Sequence, residues 1–229
     1  MTLQDDDDHA ADEVDGDGEG DAVGGEPAAV RRQAAAAERL RYAGHYVGAA
    51  RAAAEAARLA KRHRLLMPYA RALFTASNLG DYTLDHRAAY DANLELIALI
   101  ESPAHRAGVQ ADYPADQFEA WADEWTVPCY HLLAETIGAM RGMNSPGLHA
   151  CVADGVAVAR RTGSRYLSSF HELASRVHEA ADDLDMALHF ARRVSGPQRS
   201  SASALRRYVG AYCEASIHLV SGRLDEALE

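Results

Sequence analysis

Ser221-Gly222-Arg223-Leu224-Asp225-Glu226-Ala227-Leu228 decides the fold, because Asp182-Asp183-Leu184-Asp185-Met186-Ala187-Leu188 is its partner copy 40 residues upstream. Each copy sets a turn-forming residue before a leucine and an alanine three positions after it. The turn residue reverses the chain, and the alanine lets neighbouring helices approach closely. Working outward, Gly44-His45-Tyr46-Val47-Gly48-Ala49 and Leu79-Gly80-Asp81-Tyr82 are related at an offset of 36, and Ser145-Pro146-Gly147-Leu148-His149-Ala150 precedes the Ala187 copy by 37. Helical hairpins that recur at a near-constant period bury a core only by stacking on one another.

The segments between these turns carry helical spacing. Tyr46, Ala49, Ala50, Ala53, Ala57 and Ala60 form one stripe, with Arg51, Glu55, Arg58 and Arg62 opposite it, as in an amphipathic helix with an alanine-lined contact face. Tyr166, Phe170, Leu173, Val177 and Ala180 repeat the pattern, and Leu205, Tyr208, Tyr212, Ala215 and Leu219 do so again. No alternating run of β-branched or aromatic residues reads as a strand. Pro68, Pro128 and Pro146 stand where a first helical turn begins, and Ser145 is a good N-cap. The expectation is an all-α chain of stacked antiparallel helix hairpins, irregular in the middle. Its helices fall near 28–43, 45–62, 67–79, 82–101, 115–126, 129–142, 146–162, 165–181, 183–194 and 199–220, with another starting at 223. The last helix stops after a few residues at Glu229, which suggests an array truncated at its C-terminus.

These turns resemble those of the tetratricopeptide repeat (TPR) family, whose helix pairs carry a Gly-x-Tyr/Leu-x-x-Ala element leading into the second helix. Gly222, Leu224 and Ala227 match it, as do Gly44, Tyr46 and Ala49 with Ala56 seven residues on; Asp85 stands where the second copy needs its alanine, and 102–127 holds no clear repeat. The resemblance implies a right-handed α-solenoid over 27–229 that binds a protein or peptide partner, with groove residues drawn from the first helix of each pair. It also implies roles such as the sensor or scaffold arm of a bacterial regulatory protein.

The formal net charge is -11. Residues 1–26 alone supply Asp5, Asp6, Asp7, Asp8, Asp12, Glu13, Asp15, Asp17, Glu19, Asp21 and Glu26 without a Lys or Arg, so the rest of the chain is balanced. Such a Gly-rich acidic segment buries too little apolar surface to offset its ordering entropy, and a disordered tail is expected. Residues 27–71 hold Arg31, Arg32, Arg39, Arg41, Arg51, Arg58, Lys61, Arg62, Arg64 and Arg71 against Glu38 and Glu55. No run approaches the ~20 apolar residues of a membrane span, and the aspartate-rich start is unlike a secretory signal, so a cytoplasmic location is expected. Cys129, Cys151 and Cys213 lie far apart with no CxxC and read as core residues.

Catalytic and metal signals fail on spacing. His171-Glu172 and His178-Glu179 are followed by Ser175 and Asp182 where an HExxH helix needs its second histidine, so both pairs read as outer-face polar residues. The run from Glu13 to Asp21 starts like a calcium loop but has Gly24 at the closing position. No GxSxG, Walker lysine motif or GxGxxG occurs. Trp121 and Trp125, one turn apart beside Phe118, read first as packing residues and second as the lining of a ligand groove.

The sequence therefore points to a non-enzymatic interaction module without a cofactor. The partner-binding candidates are Arg39, Arg51, Arg58, Arg62, Tyr69, Phe74, His131 and Tyr208. The alternative is nucleic-acid or polyanion binding through the basic helices of 27–71, masked by the acidic tail, with affinity falling steeply in salt.

Overall fold

A computed structural model describes residues 27–199 and 204–228. The expected disorder of 1–26, and the calcium-like run within it, lie outside the described residues. The described residues are helical throughout, with no strand: α1 (Ala28–Tyr42), α2 (Tyr46–Arg62), α3 (Leu66–Asn78), α4 (Gly80–Thr83), α5 (His86–Glu101), α6 (Pro103–Val109), α7 (Ala115–Arg141), α8 (Pro146–Thr162), α9 (Leu167–Ala180), α10 (Leu184–Arg199), α11 (Ala204–Val220) and α12 (Leu224–Leu228).

One junction joins most of these helices. At Gly44, Arg64, Asp182 and Gly222 the chain takes a left-handed conformation, with φ of 80°, 58°, 61° and 72°. In each case that residue's N–H and the next one's reach back over the helix just ended, as in Gly44 N to Arg41 O (3.1 Å) and His45 N to Leu40 O (2.9 Å). This double closure satisfies carbonyls that a helix end leaves orphaned. The residue after the left-handed one then accepts the first bond of the next helix, as His45 O does from Ala49 N and Asp183 O from Ala187 N. Three residues thus suffice to return the chain beside itself, and the 40-residue offset between Asp182 and Gly222 is an offset between two such junctions.

The copy at Gly80 needs correction. Gly80 opens the four-residue helix α4, and the left-handed residue is Leu84 (φ 57°), 40 positions after Gly44. Asp85 is the N-cap of α5, accepting from Ala88 N, and Ala89 takes the small position. Gly80 packs so close to Ala89 that a Cβ on it would lie 2.4 Å from that of Ala89.

Each helix packs on its chain neighbours, α1 on α2, α2 on α3, α3 on α5, α5 on α7 and so on to α12, while α1 also touches α3, α3 touches α7 and α9 touches α11. The alanine face of α2 is buried as its spacing demands, with Ala49, Ala53, Ala56, Ala57 and Ala60 in the core and Arg51, Arg58 and Arg62 outside. One core gathers Leu66, Leu96, Leu99 and Phe118; a second gathers Leu133, Leu148, Val156, Phe170 and Val177; a third joins α10 to α11 through Ala187, Leu188, Ala191, Val194, Cys213 and Ile217.

The middle departs furthest from expectation. Instead of ending before Pro128, α7 runs through it for 27 residues, and Pro128 is buried. An interior proline costs a helix about 3 kcal/mol. Two cores hold the two halves in line: Phe118, Ala122 and Cys129 belong to the first, Val127, Ala134 and Ile137 to the second. Helix α6, which the repeat search passes over, is capped by Ser102 and starts at Pro103. From it Arg106 enters the first core at 5% exposure. Its guanidinium donates to Leu99 O (2.9 Å) and Ile100 O (2.8 Å) at the end of α5, to Tyr113 Oη (3.0 Å) and to Glu119 Oε1 (2.8 Å), and lies over the Phe118 ring.

On α11 the buried face is the one opposite to that expected. Cys213 and Ile217 are buried, with Val209 packed against their cluster, whereas Tyr208, Tyr212 and Leu219 are exposed. Helix α11 carries two apolar stripes, and contact with α10 selects between them.

Candidate functional site

Helices α1, α3 and α7, of which α3 touches both others, build a groove. Helix α3 presents Arg71, Phe74, Thr75 and Asn78 along one face, and α7 presents Trp121, Glu124 and Trp125, three side chains brought together by helical spacing. With Glu38 and Arg41 of α1, Tyr46, Tyr82 and Tyr166 they enclose a volume of about 810 Å³. A smaller recess of about 320 Å³ continues it between α1 and α3 over alanines of α2, sharing Glu38, Arg71 and Thr75.

The groove floor is aromatic. Phe74 meets Trp125 edge to face at 4.5 Å between ring centroids, and Tyr46 stacks on Tyr82 at 4.5 Å. Trp121 leans on the buried Phe118 ring at 5.6 Å, so the tryptophans both pack on the first core and line the groove. Arg41 is held by Glu38 at 2.8 Å. The Asn78 amide donates to Phe74 O (3.0 Å) and Thr75 Oγ1 to Arg71 O (3.1 Å), which spends them within the helix. The charged ends of Arg71 and Glu124 have no hydrogen bond or ion pair with any described residue.

Of the residues singled out in the sequence, Phe74 lines this groove. Arg39, Arg51, Arg58 and Arg62 are exposed outside it, and Arg58 is engaged by Glu55. Tyr69 is buried in the first core, where its hydroxyl donates to Glu95 (2.8 Å); Lys61 also donates to Glu95 (3.0 Å). Burial acts to raise the Glu95 carboxyl, but those two hydrogen bonds hold it below its ordinary value. His131 packs edge-on against Phe170 at 5.4 Å beside Glu135. Tyr208 stacks on Tyr212, away from the groove. The sequence offers Arg71 only as part of the basic 27–71 surface, Trp121 and Trp125 first as packing residues, and Glu124 not at all, although the i, i+3, i+4 spacing of the last three was available as a signal.

A second group of titratable side chains lies where α8, α9 and α10 meet. His171, expected on an outer face, is buried at 5% exposure, and its Nε2 has no hydrogen-bond partner among the described residues. The Phe190 ring lies 5.8 Å from it and 5.5 Å from His178, which in turn is 5.9 Å from His149. Desolvation, reinforced by Arg160 of α8 and by Arg193 and His189 of α10, pushes His171 down to about 4. The unfolded chain therefore binds the extra proton between about pH 6.5 and 4. The contribution of neutral His171 is complete above that window and is lost as pH falls through it. Urea unfolding should show a loss on the order of 2 kcal/mol from this residue between pH 7 and pH 4. A His171→Phe variant should lack that part of the acid sensitivity; equal pH dependence in the two proteins would refute the assignment.

Among the described residues no group of three or more His, Cys, Asp or Glu is placed to hold a metal ion, and no helix is long and apolar enough to cross a membrane. The three cysteines are buried, and burial raises Cys129 and Cys151 to about 12. Comparison with protein-family models, curated proteins and solved structures finds no match for this chain.

Proposed function

We propose that the chain is a TPR-like interaction module without catalytic activity, and that it binds an extended peptide segment of a partner protein in the groove between α1, α3 and α7. The observation that carries this reading is the groove itself. Helices α1, α3 and α7 contribute most of its lining, with Tyr46, Tyr82 and the α9 N-cap residue Tyr166 completing it. Its aromatic surface and two unpaired charges exceed what the packing of the fold uses. Aromatic and arginine side chains in a concave site are the groups that dominate binding energy at protein interfaces. The contacts of α1 with α3, α3 with α7 and α9 with α11 are those of first helices aligned along one face, which supports a solenoid arrangement.

The competing proposal is polyanion binding through residues 27–71. It loses support because Arg41, Arg58 and Lys61 are engaged by Glu38, Glu55 and Glu95. What favours it is the exposure of Arg39, Arg51 and Arg62.

The test is selection of a displayed random dodecapeptide library on the immobilised full chain. Selected peptides should lose roughly ten-fold or more in affinity for Phe74→Ala and for Trp125→Ala, in variants whose helicity by circular dichroism matches the wild type. Peptides that bind both variants as tightly as the wild type would place the site elsewhere and sink the proposal.

A further inference from the structure

We infer that the groove selects a peptide of mixed charge, one that sets a basic side chain between Trp121 and Trp125 against Glu124 and a carboxylate against Arg71. This inference rests on the peptide-binding reading of the same groove and adds the chemistry of the occupant.

The fold leaves two charges in the groove unmatched. Glu124 lies between Trp121 and Trp125 on the groove face of α7, and Arg71 lies beside Phe74 on the facing wall of α3. Both side chains are exposed, and neither charge has a partner among the described residues. Water satisfies them while the groove is open. A ligand that covers the aromatic floor displaces that water, and a charge sealed in without a partner carries a heavy desolvation penalty. A neutral apolar segment would leave two such charges. A polyanion would satisfy Arg71 but bring repulsion to Glu124. A peptide with both signs satisfies each.

The tryptophans sharpen the assignment at Glu124. An indole face attracts a cation more strongly than other aromatic rings do. An Arg or Lys placed there gains the carboxylate and aromatic surface together. On the other wall Arg41 is already matched by Glu38, so Arg71 is the cation left for a ligand carboxylate. The same reasoning excludes residues 1–26 as the occupant. That segment offers eleven acids and no Lys or Arg, so it meets Arg71 but cannot meet Glu124.

The test is the same displayed dodecapeptide selection, run in parallel on the wild-type chain, Glu124→Arg and Arg71→Glu. Because both residues are exposed, these substitutions leave the cores intact. Wild-type selections should be enriched in peptides with a basic and an acidic residue at a fixed separation. A wild-type-selected peptide should bind Glu124→Arg at least about thirty-fold more weakly. Changing its basic residue to Glu should restore much of that loss on Glu124→Arg and weaken binding to the wild type. Arg71→Glu should show the converse preference at the acidic position. If selected peptides depend on Phe74 and Trp125 but carry no charge preference and bind both charge variants normally, the mixed-charge inference is overturned while peptide binding in the groove stands. If binding is indifferent to Phe74 and Trp125 as well, both proposals fall.

Discussion

Arg106→Ala should destabilise the protein by about 3–5 kcal/mol, since two carbonyls at the end of α5 lose charge-assisted donors, at roughly 1–3 kcal/mol each, and the packing of the guanidinium on Phe118 is lost as well. For a chain of this size that corresponds to a melting temperature about 6–20 °C lower. The physical origin is specific. Helix α5 ends at Glu101, and the guanidinium of Arg106 caps its carbonyls at Leu99 and Ile100 while Glu119 balances its charge. Alanine leaves those carbonyls without their side-chain donor, releases the exposed Glu119 to solvent and uncovers the face of Phe118. Arg106→Lys tests the division between charge and geometry. A single ammonium cannot reproduce donors spread over two carbonyls, a hydroxyl and a carboxylate, so lysine should recover less than half of the loss. Hydrogen exchange at the α5–α7 interface should accelerate in the alanine variant more than at α10. An alanine variant that melts within 2 °C of the wild type would show that the buried guanidinium is dispensable.

The contrast between Arg106 and the alanine face of α2 shows what sequence can and cannot reveal. The face of α2 follows from 3.6-residue spacing, because one stripe is apolar and the other charged, whereas on α9 His171 and Ser175 beside the apolar stripe are buried too, because α8 and α10 cover both sides of it. Helix α6 has a signal in the sequence too: Ser102-Pro103 is the same capping pair as Ser145-Pro146, although it stands outside the repeat. Continuity of α7 through Pro128 was not legible, since what straightens it is burial in two cores built from residues distant in sequence. The face of α11 was ambiguous in principle, with Tyr208-Tyr212-Leu219 and Val209-Cys213-Ile217 both at helical spacing. The groove follows the same logic. Phe74 was foreseen from its place on a first helix, while Arg71 and Glu124 gain meaning only when α3 and α7 face each other across some fifty residues of chain.

Gly155→Val should cost about 3 kcal/mol, the upper end of what overpacking a well-filled core produces. Gly155 lies in the middle of α8, where glycine is a poor helix former by about 1 kcal/mol relative to alanine. Its retention has a visible cause. A Cβ at this position would lie 2.1 Å from Cε1 and 2.4 Å from Cζ of Phe170. Phe170 is fully buried and hemmed in by His131 edge-on at 5.4 Å, so its ring cannot swing aside without opening the contact between α8 and α9. Gly155→Ala sets the two effects against each other. The helix gains about 1 kcal/mol while the clash costs roughly 1–3 kcal/mol, and the clash distance decides for a net loss. A double-mutant cycle separates the terms. With Phe170→Ala the three obstructing atoms, Cε1, Cζ and Cδ1, are gone, so adding Gly155→Ala to that background should be neutral or stabilising, a coupling on the order of 1–3 kcal/mol measured by urea unfolding. The groove face of α3 and α7 should keep its hydrogen-exchange protection in every one of these variants, because the first core contains neither residue. If Gly155→Ala alone raises the unfolding midpoint, the close approach of α8 to Phe170 is not what keeps glycine there.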